Sequence, residues 1–192
     1  EQTDLLIGNT AADITRLNEL VEKILLASRM DHENMQIDRQ DLNLSELAEL
    51  CAQQLKARFP DANLVMNIHP DVHLKGDVIL LKSLINNLLE NAFKYSPSKS
   101  LLEISLSQEQ GYAILDVSDN GKPIPEEEKE KIFERFYRIG NEETRTSTGV
   151  GLGLFIVQQV AILHSGKVDI LDKRSEGKIF RVSLPLTSQH KA

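Results

Sequence analysis

Two segments, LLEISLSQ and YAILDVSD, alternate apolar and polar residues and are separated by a short loop around Gly111. Alternation puts every second side chain on one face of a strand, and a brief glycine-containing gap folds two such strands into a hairpin. KVDILD and KIFRVSLPL repeat the arrangement across KRSEG near the C-terminal end. Elsewhere the apolar period shifts to that of a helix. Antiparallel hairpins interleaved with helices do not suit a doubly wound parallel sheet. They predict a two-layer α/β sandwich.

The helical segments carry readable boundaries. Asn43 and Glu46 have capping-box spacing before a helix that ends near Phe59, where Pro60 stops it. ANLVMNIH reads as a strand. Asp77 caps a helix running to about Tyr95, and SPSKS ends it. EEEKEKIFERF reads as a short, charged helix with a solvated face. LGLFIVQQVAILHS is an apolar helix, with Gly166 expected at its C′ position. Ahead of all these, residues 3–30 form one proline-free helical pattern. Ile7, Ile14, Leu17, Val21 and Ile24 follow a 3–4 spacing, widened by Leu20 and Leu25. Such a stripe either packs on the domain or belongs to a helical hairpin or coiled coil. The polar linker that follows favours the second.

Composition narrows the function classes. The 192 residues, 41% hydrophobic, suffice for one domain and an appendage. A net charge of −7 argues against nucleic acid, which needs a basic face. The lone Cys51 excludes an internal disulfide, suits a reducing cytoplasm and is expected in the core. No apolar run approaches a membrane span of about 20 residues, and no signal peptide is evident. The chain opens without Met, and a longer parent protein is expected.

Three stretches carry chemistry. GVGLGL, at 149–154, has three alternating glycines ahead of a helix. It fits neither the dinucleotide G-x-G-x-x-G pattern nor a Walker loop. Free amides and a helix N-terminus suit a phosphate; a flexible hinge is the plainer alternative. In LLKSLINNLLENAFKYS, Asn87, Asn91 and Lys94 lie four and three residues apart, beside an apolar arc of Leu84, Ile85, Leu88, Leu89, Ala92 and Phe93. Two carboxamides and an ammonium suit hydrated magnesium and phosphate oxygens, or else form a polar seam satisfied by nearby backbone. In DVSDNGKPIP, Asp119 just past a strand could accept from the exocyclic amine of adenine, with Gly121 letting the base lie against the backbone. Asn120-Gly121 alone would be only a turn.

The order of these pieces is distinctive. NLLENAFKYS, DNGKPIP, IFERFYR and GVGLGLFIV resemble the asparagine box, first glycine box, phenylalanine box and second glycine box of sensor histidine protein kinases. ITRLNELVEKILLASRMD resembles the second helix of that family's dimerisation and phosphotransfer domain. The resemblance covers nearly the whole chain and divides it at 1–31 (incomplete hairpin), 32–43 (linker) and 44–190 (ATP-binding catalytic domain). It implies a Bergerat-type α+β sandwich, with a mixed sheet of about five strands on three helices, preceded by the long helix.

The resemblance also implies roles. Asn91 would ligate magnesium with Asn87 beside it, and Lys94 and Tyr95 would lie near the phosphates. Asp119 would read the adenine amine, with Gly121 and Ile124 lining the base. Arg138 would reach phosphate; Gly149, Gly151 and Gly153 would cradle the triphosphate, with Leu152 nearby. Residues 140–148 would be a lid over ATP. The activity implied is transfer of the ATP γ-phosphoryl group to a histidine outside this chain, then to an aspartate of a response regulator. The parent would be a homodimer, anchored in the inner membrane with this part in the cytoplasm, and its own phosphotransfer domain would be a partner. Asparagine at 87, where related ATPases place a glutamate that orients water, suits transfer over hydrolysis.

Two positions depart from the pattern. Pro123 replaces a usual glycine and removes an amide donor, and Val150 replaces a common threonine. None of His32, His69, His73, His164 and His190 sits in a phosphoacceptor context, so no catalytic residue is assigned within the chain. Two rival readings remain: a regulatory module that binds nucleotide without turnover, and an anti-sigma serine kinase, against which the long first helix argues.

Overall fold

The computed structural model describes residues 2–30, 35–140, 150–173 and 177–186. It divides into two compact units, Glu1–Met35 and Gln36–Ala192. The first is a single helix, α1 (Gln2–Arg29). Its Ile14, Leu17, Val21, Ile24 and Leu25 are all exposed, so most of the stripe read from the sequence is open on this chain. No helix among the described residues is long and apolar enough to cross a membrane.

The second unit orders its elements as β1 (Gln40–Asn43), α2 (Leu44–Arg58), β2 (Asn63–Ile68), β3 (His73–Gly76), α3 (Val78–Tyr95), β4 (Leu101–Glu109), β5 (Tyr112–Asp119), α4 (Gly153–Leu163), β6 (Lys167–Asp172) and β7 (Lys178–Pro185). A five-stranded sheet runs β2-β4-β5-β7-β6, and β1 pairs with β3 in a separate ribbon. Only β2 and β4 pair in parallel; both sequence-predicted hairpins are antiparallel as expected. This is the α+β sandwich with a mixed five-stranded sheet and three helices that the sequence led us to expect.

The core forms where the helical arc meets one face of the sheet. Leu81, Leu84, Ile85, Leu88, Leu89 and Ala92 of α3 are essentially buried. Each such leucine contributes about 2 kcal/mol of burial. Facing them, Ala113, Leu115 and Val117 of β5 stand opposite Leu184, Val182 and Phe180 of β7. Phe59 and Phe93 stack at 4.1 Å, closing the end of α2 on α3. The same inward row ends in a polar pair, Asp119 opposite Lys178.

Helix boundaries follow their caps. Asn43 accepts from the Ser45 and Glu46 amides, and its own amide donates to the Glu46 carboxylate at 3.0 Å. Asp77 accepts from the Ile79 and Leu80 amides. Three local expectations are corrected. Residues 40–43, inside the polar stretch read as a linker, form β1, because Arg39 donates to the Leu163 carbonyl and Asp38 to Asp77, setting a strand beside β3. The charged EEEKEKIFERF segment forms two 3-10 turns, Glu126–Glu128 and Lys131–Phe133, not one α-helix. Only Ile132 and Phe133 anchor it, too little apolar surface to hold several full turns. At the end of α4, Ser165 with φ 59° takes the left-handed C′ position instead of Gly166. The Ser165 amide donates to Ile162 and the Gly166 amide to Ala161, a complete Schellman motif. Gly166 is small because a Cβ there would overlap the Ser183 carbonyl.

Candidate functional site

The second half of α3 organises the site, because two other segments close on it eight residues apart. At Asn87 it meets the start of α4: a Cβ on Gly153 would lie 3.1 Å from the Asn87 Oδ1. At Tyr95 it meets the turn after β5, where a Cβ on Gly121 would overlap the Tyr95 carbonyl oxygen. At 1.5 Å per residue these contacts are separated by about 12 Å along the helix. Asn91 lies midway, one turn from each.

The three aligned polar residues differ in what they already do. Asn87 is 5% exposed, and its Nδ2 donates to the Ser83 carbonyl at 2.8 Å. Its amide nitrogen is thus spent inside its own helix, as in the polar-seam alternative. Asn91 is half-buried, and its carboxamide enters no hydrogen bond among the described residues. Lys94 is exposed and pairs with Glu90, one turn back, at 3.4 Å. Tyr95 is exposed, and its main chain packs on the Gly121 turn.

The aspartate turn is a tight construction. Asp119 is fully buried at the end of β5. Its Oδ1 accepts from the Gly121 amide at 2.6 Å and from the Lys178 ammonium at 2.9 Å. Its Oδ2 is buried with no hydrogen-bond partner among the described residues. A carboxylate oxygen left this way costs more than a kcal/mol or so. Ile124 is buried close by in sequence, Pro123 is exposed, and the Lys173 ammonium holds Asn120 at 3.0 Å.

At the other end the glycines serve the protein first. Gly151 has φ 76°, and a Cβ there would lie 2.7–2.8 Å from the main chain of Phe136 and Tyr137. The Phe136 amide donates to the Gly151 carbonyl at 3.0 Å, docking the phenylalanine-box segment on the loop. Leu152 is buried, Val150 exposed and Arg138 half-buried. Gly149 and residues 141–148 of the expected lid lie outside the described residues. Helix α4 begins with no side-chain cap, whereas α2 and α3 are both capped. Uncapped amides at a helix start are anion-binding donors. The Arg135 guanidinium lies 4.3 Å above the Phe155 ring, bringing a cation to the first turn of α4.

Sequence reasoning missed Lys178, Arg135 and Ser83. Lys178 had a signal: it shares an alternating face with Phe180, Val182 and Leu184, so a lysine was pointing inward. Ser83 had one too, four residues before Asn87 on the same helical face, whereas the contact of Arg135 with Phe155 is set by the fold.

The fold thus sets a buried carboxylate oxygen beside one end of the second half of α3 and the uncapped start of α4 beside the other. The sequence pattern of the "Histidine kinase-, DNA gyrase B-, and HSP90-like ATPase" family matches residues 76–188, and the chain belongs to that family. It is 34% identical over 172 residues to the sensor protein kinase PmrB of Pseudomonas aeruginosa, covering 89% of this chain and 35% of that one. With the sensor protein KdpD of Clostridium acetobutylicum it shares 30% over 181 residues, 94% of this chain and 20% of the relative. The chain therefore spans well under half the length of these curated relatives. Among solved structures, mycobacterial sensor histidine kinase MprB superposes with a TM-score of 0.67 at 30% identity, covering 77% of this chain and 97% of that one. The Acinetobacter baumannii histidine kinase AdeS gives 0.76 at 19% identity, over 96% and 85% of the two chains, a likeness of fold. The homologues are sensor histidine kinases, and residues 76–188 are the ATP-binding portion.

Proposed function

We propose that this chain is the ATP-binding catalytic part of a sensor histidine kinase, with residues 1–31 the second helix of its dimerisation and phosphotransfer hairpin. The observation that carries the site assignment is the buried, unpartnered Oδ2 of Asp119 beside the Gly121 turn. An acceptor of that kind fits the exocyclic amine of adenine, and Gly121 with Ile124 leaves an apolar wall for the ring. About one helical turn away along α3, the unengaged Asn91 carboxamide offers a hard oxygen ligand to magnesium. Held there, magnesium would supply charge neutralisation for the phosphates. Lys94, Arg138 and the amides at the start of α4 fit the phosphate oxygens, together with the glycines 149, 151 and 153.

Phosphoryl transfer depends on positioning and electrostatics, with little covalent work for the protein. This chain's part is accordingly to grip the base, orient the triphosphate and present the γ-phosphoryl group to an imidazole on the missing hairpin helix. That imidazole already carries a lone pair and needs no strong base. Asn87, its amide donating to Ser83, offers no carboxylate to activate water, which suits transfer over hydrolysis. The exposed stripe of α1 suits a second hairpin helix and a homodimeric partner. The phosphoryl group would pass to a response regulator. A membrane-anchored parent with this part in the cytoplasm, where ATP is found, fits that role.

Two measurements test the reading. Calorimetric titration with a non-hydrolysable ATP analogue should show saturable binding that magnesium strengthens. A hairpin carrying its histidine, supplied in trans with radiolabelled ATP, should acquire magnesium-dependent label. Binding without label would favour the regulatory-module alternative, and absence of binding would refute the site.

A further inference from the structure

Lys178 stands in a position few lysines occupy: 4% exposed, first residue of β7, opposite the buried Asp119. Its ammonium donates to the Asp119 Oδ1 at 2.9 Å and to the Lys122 carbonyl at 3.3 Å. We propose that Lys178 is a positioning residue that decides which purine the pocket accepts, by keeping Asp119 a carboxylate whose second oxygen is a pure acceptor. The inference rests on the reading of this corner as a base site and adds a determinant of its specificity.

The physical argument concerns where a proton would go. A carboxylate out of reach of water, held by one amide alone, favours its neutral form. The Lys178 ammonium opposes that by supplying a full positive charge at contact distance. Without it, a proton from solvent neutralises the buried carboxyl group. That proton cannot sit comfortably on Oδ1, which faces the Gly121 amide at 2.6 Å. It goes to Oδ2, the oxygen with no partner. Oδ2 then changes from acceptor to donor. An acceptor matches a 6-amino purine; a donor matches a 6-oxo purine, whose O6 accepts.

No other cation among the described residues substitutes. Lys173 donates to Asn120 Oδ1, and Lys122 is exposed and contributes its carbonyl. On the neighbouring rungs of β5 and β7, Arg181 is engaged by Asp116 through two hydrogen bonds of 2.9 and 2.7 Å. From α3, Tyr95 presents its main-chain carbonyl to Gly121.

The test compares matched nucleotides, so that phosphate titration cancels. Affinities of adenosine and inosine triphosphate analogues, with magnesium, are measured for the wild-type chain, Lys178→Met, Lys178→Gln and Lys178→Arg at about pH 6 and about pH 8. Wild type should prefer the 6-amino nucleotide at least roughly tenfold at both values. Lys178→Met should lose that preference, by about tenfold in the affinity ratio. Lys178→Gln, which keeps a donor on Oδ1 and so protects the local fold, should behave in the same way. Lys178→Arg should restore the wild-type ratio. Unchanged ratios in Met and Gln variants overturn the role of Lys178, as does an equal loss for both nucleotides, which marks a merely structural residue. A wild-type chain that binds neither nucleotide overturns the site reading itself, and this role with it.

Discussion

The two ends of the second half of α3 are built differently. At the aspartate end, Asp119, Lys178, Gly121 and the Tyr95 carbonyl are packed and bonded to one another, with one acceptor left over. Away from it, Asn91, midway along this stretch of α3, makes no side-chain bond among the described residues, Lys94 is exposed and pairs with Glu90, and α4 starts uncapped. The aspartate end is finished before a ligand arrives; the rest presents an unengaged Asn91 carboxamide and an uncapped helix start. The difference teaches a division of labour. A rigid, desolvated end contributes affinity and selectivity, because nothing need be ordered on binding. Groups with unused hydrogen-bonding capacity serve charge that arrives with the ligand, where phosphoryl transfer needs it.

The comparison can be broken most directly at Asp119. Asp119→Asn puts an amide where the acceptor was and leaves Lys178 buried without its counter-charge. ATP-analogue affinity should fall about 100-fold or more, with or without magnesium, and stability by about 3 kcal/mol in a denaturant titration. Wild-type binding by this variant would end the assignment of the base. Gly121→Ala should come next: its methyl group collides with the Tyr95 carbonyl, so affinity falls and stability drops by about 2 kcal/mol.

The other end should respond selectively. Asn91→Ala should weaken binding about tenfold in magnesium and hardly at all in a chelator, while unfolding stays within about 0.5 kcal/mol of wild type. It should also abolish labelling of a supplied phosphotransfer hairpin. A large loss of stability would mean that Asn91 is structural, and the contrast between the two ends would fail.

A smaller effect comes from the opposite ends of α3 and α4. His164 is buried; its Nε2 accepts from the Asp77 amide at 3.0 Å, so Nδ1 carries the hydrogen donated to the Val160 carbonyl at 2.8 Å. Burial holds its pKa below the ordinary 6.5, partly offset by the Val160 carbonyl. The unfolded chain therefore binds the proton first as pH falls. The clasp's contribution is fully present above about pH 6.5 and is lost as pH drops toward the folded value. Thermal melts from neutral to mildly acidic pH should show that loss, and His164→Gln should flatten it. The smallest effect is a silence. Burial pushes the Cys51 thiol up to about 11, against a weaker opposing pull from Lys82, so an alkylating reagent at neutral pH should modify it only through unfolding. Nucleotide should slow that reaction only as far as it stabilises the fold.

Much of this was legible in the residues. Alternation in LLEISLSQ and YAILDVSD produced the hairpin, and Asn43 and Asp77 cap the helices they were expected to cap. Asn87 and Asn91 fall on neighbouring turns of α3 as their spacing required. These features are local, set by backbone periodicity and by side chains within a few residues. What failed was also informative. Glu126–Glu128 and Lys131–Phe133 are 3-10 turns because charge pattern alone does not hold a helix without buried surface. Ser165 holds the left-handed position because Gly166 is needed for a close approach to β7, a partner distant in sequence.

By itself, then, the sequence determined the two hairpins, the main helices with the N-caps of α2 and α3, the order of the four boxes and the class of chemistry. The tertiary structure alone decided that Asn87 donates within its own helix while Asn91 does not, and that Gly151 makes room for protein backbone. It alone set Lys178 against Asp119. Periodicity says which face a residue occupies, but pairing across fifty-nine residues depends on strand register and burial, which arise only when the whole sheet closes on its helices.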